Sequence, residues 1–168
     1  LCPDSRVTAT LSVLAGLANA WRLARWAGDR TPQEPLVLVL HVAFAFVPAG
    51  FFLVALAVLD PSLITATGAL HAWTTGAIGS MTLAVMTRAS LGHGGRPLTA
   101  TPATQFIYVA VFAAALARLI AAFDVWRGPM LHVSAIAWVG AFACFVIIYW
   151  PILLHQQHGT RQQPSKRA

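Results

Sequence analysis

Charge is what this 168-residue sequence has least of: 10% of its residues are Asp, Glu, Lys or Arg and 58% are hydrophobic, where a soluble domain carries about a quarter charged residues. So few charges cannot build a water-facing surface, which excludes a soluble globular fold. Acids are scarcest. The five of them, Asp4, Asp29, Glu34, Asp60 and Asp124, fall in loops or at the ends of apolar runs, so no buried carboxylate pair is available for a proton relay. Only two cysteines occur, Cys2 near the start and Cys144 inside an apolar run, which argues against a disulfide framework. The absence of C-x-x-C-H excludes covalent c-type haem. No P-loop, Gly-rich dinucleotide fingerprint, H-E-x-x-H or nucleophile elbow is present, nor any internal repeat. The net charge of +6 does not point to nucleic acid, because the basic residues are spread between apolar runs and form no single patch.

Apolar runs fill the remaining sequence. A membrane-spanning helix needs about 20 mostly apolar residues, and such stretches occur at 7–24, 35–58, 63–86, 104–123 and 130–153. The expected fold is all-α, a polytopic transmembrane bundle of about five helices, A to E, forming one unit over residues 1–168. Its first partner is the lipid bilayer. Helix A is the least apolar, since Arg22 and Arg25 must snorkel to the interface; an interfacial segment is the alternative. Trp21, Arg22 and Arg25 follow it in place of a small-residue cleavage site, so it does not read as a signal peptide. The breaks carry Thr31-Pro32-Gln33-Glu34-Pro35, Asp60-Pro61, Gly92-His93-Gly94-Gly95-Arg96-Pro97 and Gly128-Pro129, all turn or helix-start signals. Because the sequence begins at Leu1, it is expected to be the C-terminal part of a longer multi-span protein.

Basic residues mark the cytoplasmic side of a membrane protein. Arg22, Arg25, Arg30, Arg88, Arg96, Arg161, Lys166 and Arg167 fall on one side of five spans; Arg6, Arg127 and Arg118 fall on the other. The bias predicts an outside N-terminus and a cytoplasmic C-terminus. Trp126, Tyr149 and Trp150 fall near span ends and are expected to be interfacial anchors.

Helix C carries Gly68, Ala72, Gly76, Ser80 and Ala84 at every fourth position, a small-residue stripe that lets another helix approach closely. Thr67, His71, Thr74, Thr75 and Thr82 run beside it. Helix C is therefore expected at the centre, with helix D as its partner through Ala110, Ala113, Ala114 and Ala117.

Ionisable groups inside spanning helices are costly and face the protein interior, which singles out His41, His71 and Arg118. Neutral imidazole ligates haem iron or copper, and a guanidinium can pair with a haem propionate. The structural alternative is that each histidine hydrogen-bonds a neighbouring helix, and that Arg118 snorkels or pairs with Asp124. His41 and His71 are expected about 10 Å apart along the membrane normal, poor geometry for one iron, which weakens a shared haem without excluding it; separate centres are the other arrangement. His93, among glycines and beside Arg96, is a third metal candidate, with a plain loop as its alternative. His132, His155 and His158 rank lower, as do Met81 and Met86, because methionine in an apolar helix is usually packing.

The stretch from Trp21 through Arg22-Leu23-Ala24-Arg25-Trp26-Ala27-Gly28-Asp29-Arg30-Thr31 and Glu34-Pro35-Leu36 to His41 resembles the NnrS family. So does His71-Ala72-Trp73-Thr74-Thr75-Gly76-Ala77-Ile78-Gly79, continuing through Met81 to His93 and closing with Gly95-Arg96-Pro97-Leu98; Arg118-Leu119 is a weaker match. The resemblance implies a multi-pass protein of the bacterial inner membrane. It also implies non-covalent b-type haem and copper, and a role in denitrification, the nitric oxide response and relief of nitrosative stress. Members are longer, which is why the chain looks like a C-terminal portion. The resemblance does not say which histidine binds which metal. His41 and His71, with Arg118, are the expected haem-site residues, and His41, His71 and His93 the expected metal ligands. Whether nitric oxide is turned over, bound or passed on stays open at this level, as does homo- or hetero-oligomerisation. A transporter or accessory subunit with structural histidines is the alternative.

Overall fold

The computed structural model of the chain describes residues 5–26 and 34–154. Cys2, Asp4, Asp29, Arg30, Thr31-Pro32-Gln33, His155, His158, Arg161, Lys166 and Arg167 lie outside the described residues.

The described elements are all helical. α1 (Arg6–Arg25) begins behind Ser5, whose hydroxyl accepts from the Thr8 amide, a standard way to satisfy an orphan N–H. α2 (Pro35–Leu59) opens on proline, tolerated there because that N–H has no helical partner anyway. A continuous rod follows: α3 (Ala66–His71), a π-helical stretch (Ala72–Gly79) and α4 (Ser80–His93). α5 (Pro102–Ala122) combines a Thr101 cap with an initial proline, and α6 (Arg127–Leu154) completes the bundle. Four of the five expected stretches agree with these helices to within about three residues.

Among the described residues three helices are long and apolar enough to cross a membrane: α2, α5 and α6, with mean hydropathies of 2.6, 1.9 and 2.2 over their most apolar windows. At 1.5 Å per residue α2 is about 37 Å long, more than the roughly 30 Å of a hydrocarbon core.

Helix C differs most from expectation. It starts and ends later than 63–86, and its middle is π-helical. Two local causes are visible. The Thr74 and Thr75 hydroxyls donate back to the carbonyls of Leu70 and His71, competition that bends helices. Rings from other helices also press into its glycines, since a Cβ on Gly76 would sit 2.4 Å from the Phe46 ring and one on Gly79 2.2 Å from the Trp138 ring. Trp73 returns the favour across α2: its indole donates to Val47 O at 2.9 Å and covers Gly50.

All five stripe residues, Gly68, Ala72, Gly76, Ser80 and Ala84, are buried. The stripe thus faces the interior as expected, but at Gly76 what it admits is an aromatic ring, while Gly68 does meet α5 closely at Ala122. A four-residue spacing drifts by roughly 40° per step on an α-helix, or about 160° from Gly68 to Ala84. The wider π turns remove that drift and keep one face inward. Among the threonines beside the stripe, Thr67, Thr74 and Thr82 are exposed.

Packing is densest toward the ends of α4 and α6. There Leu36 and Val39 of α2 meet Leu83, Ala84 and Leu91 of α4, Ile107 and Val111 of α5, and Phe145 and Tyr149 of α6. Side-chain hydrogen bonds tie the same helices together: Thr87 with Tyr108, Thr104 with Tyr149 at 2.7 Å, and, farther along, Ser134 to Ala114 O at 2.9 Å. Tyr149 is 1% exposed, which corrects its expected role as an interfacial anchor. Its hydroxyl has a buried partner on α5, so the residue serves the core. Trp126 and Trp150 are exposed, as anchors require. At the α5–α6 turn, Gly128 and Pro129 fall in the first turn of α6, and the break is made by Asp124 and Trp126 at φ 61° and 44°.

A candidate ligand site between α3 and α5

Opposite the dense end, the helices splay. The turn after α2, the start of α3 and the end of α5 enclose a half-open cavity of about 440 Å³, within the roughly 300–1,000 Å³ typical of small-molecule sites. Asp60 braces the turn by accepting from the Ser62 amide and hydroxyl. Thr65 caps α3 by accepting from the Gly68 amide at 3.1 Å. Gly68 lets α3 approach α5, because a Cβ there would stand 3.0 Å from Ala122 Cβ.

Two of the residues singled out by sequence meet here. His71 enters the cavity from α3 and Arg118 from the last turns of α5, close enough for the guanidinium charge to act on the imidazole. Among the described residues, neither side chain has a hydrogen-bond or ion-pair partner. Asp124, offered as a partner for Arg118, instead reaches Arg127 at 3.8 Å, with both side chains largely exposed. A surface pair of that kind contributes about 0–1 kcal/mol, and it leaves the Arg118 charge uncompensated. Asp124, Arg127 and Thr67 also line the cavity. Asp124 and Arg127 were not legible as site residues because the turn that presents them depends on two left-handed residues.

His41 is elsewhere. Trp73 sits against Val47 and Gly50, which places His71 roughly 15 Å from His41 along the bundle at 1.5 Å per residue, somewhat more than the expected distance of about 10 Å. The ring nitrogens of His41 face two carbonyls, Nδ1 that of Val37 at 3.4 Å and Nε2 that of Trp26 at 3.3 Å. Trp26 ends α1, so this contact satisfies one of that helix's orphan carbonyls. Arg22 lies over the Trp26 and Phe44 rings, a cation–π arrangement. His93 is the last residue of α4 rather than a loop residue, exposed at the same end as His41. His132 bonds Gly128 O in its own helix.

An iron porphyrin of b type asks a protein for an axial nitrogen and for a cation near its carboxylates. His71 and Arg118 are of that chemistry, unengaged, and on one cavity. For copper the residues fit less well. Among the described residues no three His, Cys, Asp or Glu side chains gather to hold a metal ion.

No curated protein and no solved structure matches the sequence. The family model described as NnrS protein matches residues 3–157, nearly the full length and including α1 through α6. The chain therefore belongs to the NnrS family.

Proposed function

We propose that the chain is a multi-pass protein of the bacterial inner membrane that serves the nitric oxide response through haem held at the α3–α5 cavity. The observation that carries this reading is the pair formed by His71 and Arg118, an imidazole and a guanidinium on one cavity whose side chains have no hydrogen-bond or ion-pair partner among the described residues. His71 would hold the iron through a ring nitrogen. Arg118 would neutralise a propionate, and the apolar flank of Ile64, Ala121 and Leu131 would cover the macrocycle. When bound, haem iron supplies the coordination position at which a diatomic gas binds.

Five crossings, with the N-terminus outside and the C-terminus cytoplasmic, agree with the distribution of charge. Arg22, Arg25, Arg88 and Arg96 share the densely packed end of the bundle, while Asp60, Asp124 and Arg118 share the cavity end. The cavity then opens on the outer side. Copper is the second metal of this proposal; His41 and His93 would contribute to it only with donors from outside the described residues. Relief of nitrosative stress in a denitrifying cell is the proposed physiological role.

One observation favours the alternative for His41 alone: with carbonyls facing both nitrogens, it fits a helix-tying role in an accessory subunit or transporter. The optical spectrum and metal content of the detergent-purified, full-length protein separate the two readings. A Soret band with bound haem is expected. Its absence after adequate haem supply would leave the accessory or transporter reading in its place.

A further inference from the structure

At the densely packed end, one face of α4 is left uncovered. Val85, Arg88, Ala89, Gly92 and His93 lie along it at helical spacing, and with Leu40 of α2 and Leu98 they line an open groove of about 480 Å³. Val85 and Leu98 are exposed apolar side chains, so the groove wall is greasy where it runs into the bundle. Its mouth is basic. Arg88 and His93 have no hydrogen-bond or ion-pair partner among the described residues. The space beside Gly92 is open: a Cβ there would meet nothing closer than Leu98 at 4.0 Å. The end as a whole is cationic, with Arg22, Arg25, Arg88 and Arg96 against Glu34 among the described residues.

We propose that this groove is a binding site for an anionic phospholipid, whose phosphate rests between Arg88 and His93 and whose acyl chain lies along Leu40, Val85 and Ala89. A basic mouth at the membrane surface joined to an apolar wall running into it matches a molecule with a negative head and a hydrocarbon tail. A soluble anion would use the mouth and leave the wall bare. A zwitterionic lipid would use the wall but gain little from the arginine. The site needs the membrane placement of the chain and is independent of the haem reading, since it lies at the opposite end from His71; a copper ion held by His93 would compete with the phosphate for that imidazole.

The test is native mass spectrometry of the full-length protein taken from micelles containing equal phosphatidylglycerol and phosphatidylcholine. Wild type is expected to retain phosphatidylglycerol preferentially, and Arg88→Gln to lower that preference about five-fold, the effect of one arginine near a membrane surface. Ala89→Trp keeps the charge but fills the wall, and should release the lipid as well; it preserves the test if Arg88→Gln folds poorly. Arg6→Gln, at the other end and outside the haem cavity, should leave the preference unchanged. Equal retention of the two lipids by wild type would overturn the proposal. So would an equal loss in Arg6→Gln, or displacement of the lipid by excess inorganic phosphate alone.

Discussion

The two ends of this bundle treat polar side chains in opposite ways. At the dense end each buried hydroxyl of Thr87, Tyr108, Thr104 and Tyr149 has a partner on a neighbouring helix, and Leu83, Ile107 and Val111 are fully enclosed. At the open end His71 and Arg118 face a cavity with no hydrogen-bond or ion-pair partner among the described residues. In a membrane, polar groups that bond across helices hold the bundle together, whereas unsatisfied ionisable groups turned inward mark sites that something else completes. On the proposed reading, stability and ligand binding belong to different ends.

That division can be broken by substitution. Leu83→Ala at the dense end should have the largest effect, lowering stability by about 2–5 kcal/mol through the cavity it leaves, as read by reversible unfolding in mixed micelles. Gly50→Ala comes next. Its Cβ would sit 2.2 Å from Trp73 Nε1, so the indole must move and lose Val47 O; overpacking of this kind costs about 1–3 kcal/mol. Tyr149→Phe should cost least, about 0.6 kcal/mol and at most about 1.7 for a hydrogen bond between membrane helices. If Tyr149→Phe proved as damaging as Leu83→Ala, the dense end would be held by its hydrogen bonds more than by its packing.

Much of this arrangement was legible in the residues. The lengths of the apolar runs located four helices closely, and Pro35 and Asp60-Pro61 marked the two ends of α2 because these residues act through local backbone geometry. The four-residue stripe of helix C correctly named its buried face. Its strict spacing also held a sign of the π-helical middle, but that unwinding depends on Phe46, Trp73 and Trp138 arriving from elsewhere in the fold. Tyr149 misled for a similar reason: position near a span end suggests an anchor, and only the fold reveals Thr104 opposite it. For the site, depth cost in lipid singled out His71, Arg118 and His41, and the fold brings the first two to one cavity. It gave no means of telling them from His41, whose nitrogens turn out to face backbone carbonyls.

The central claim is that the open end, and not the His41 end, holds the haem. Haem content and the Soret spectrum of the full-length protein should therefore be compared for wild type, His71→Ala and His41→Ala, all at matched folding. The account predicts that His71→Ala loses haem or shifts its band while His41→Ala retains both. Unchanged haem in His71→Ala, or loss confined to His41→Ala, would contradict it.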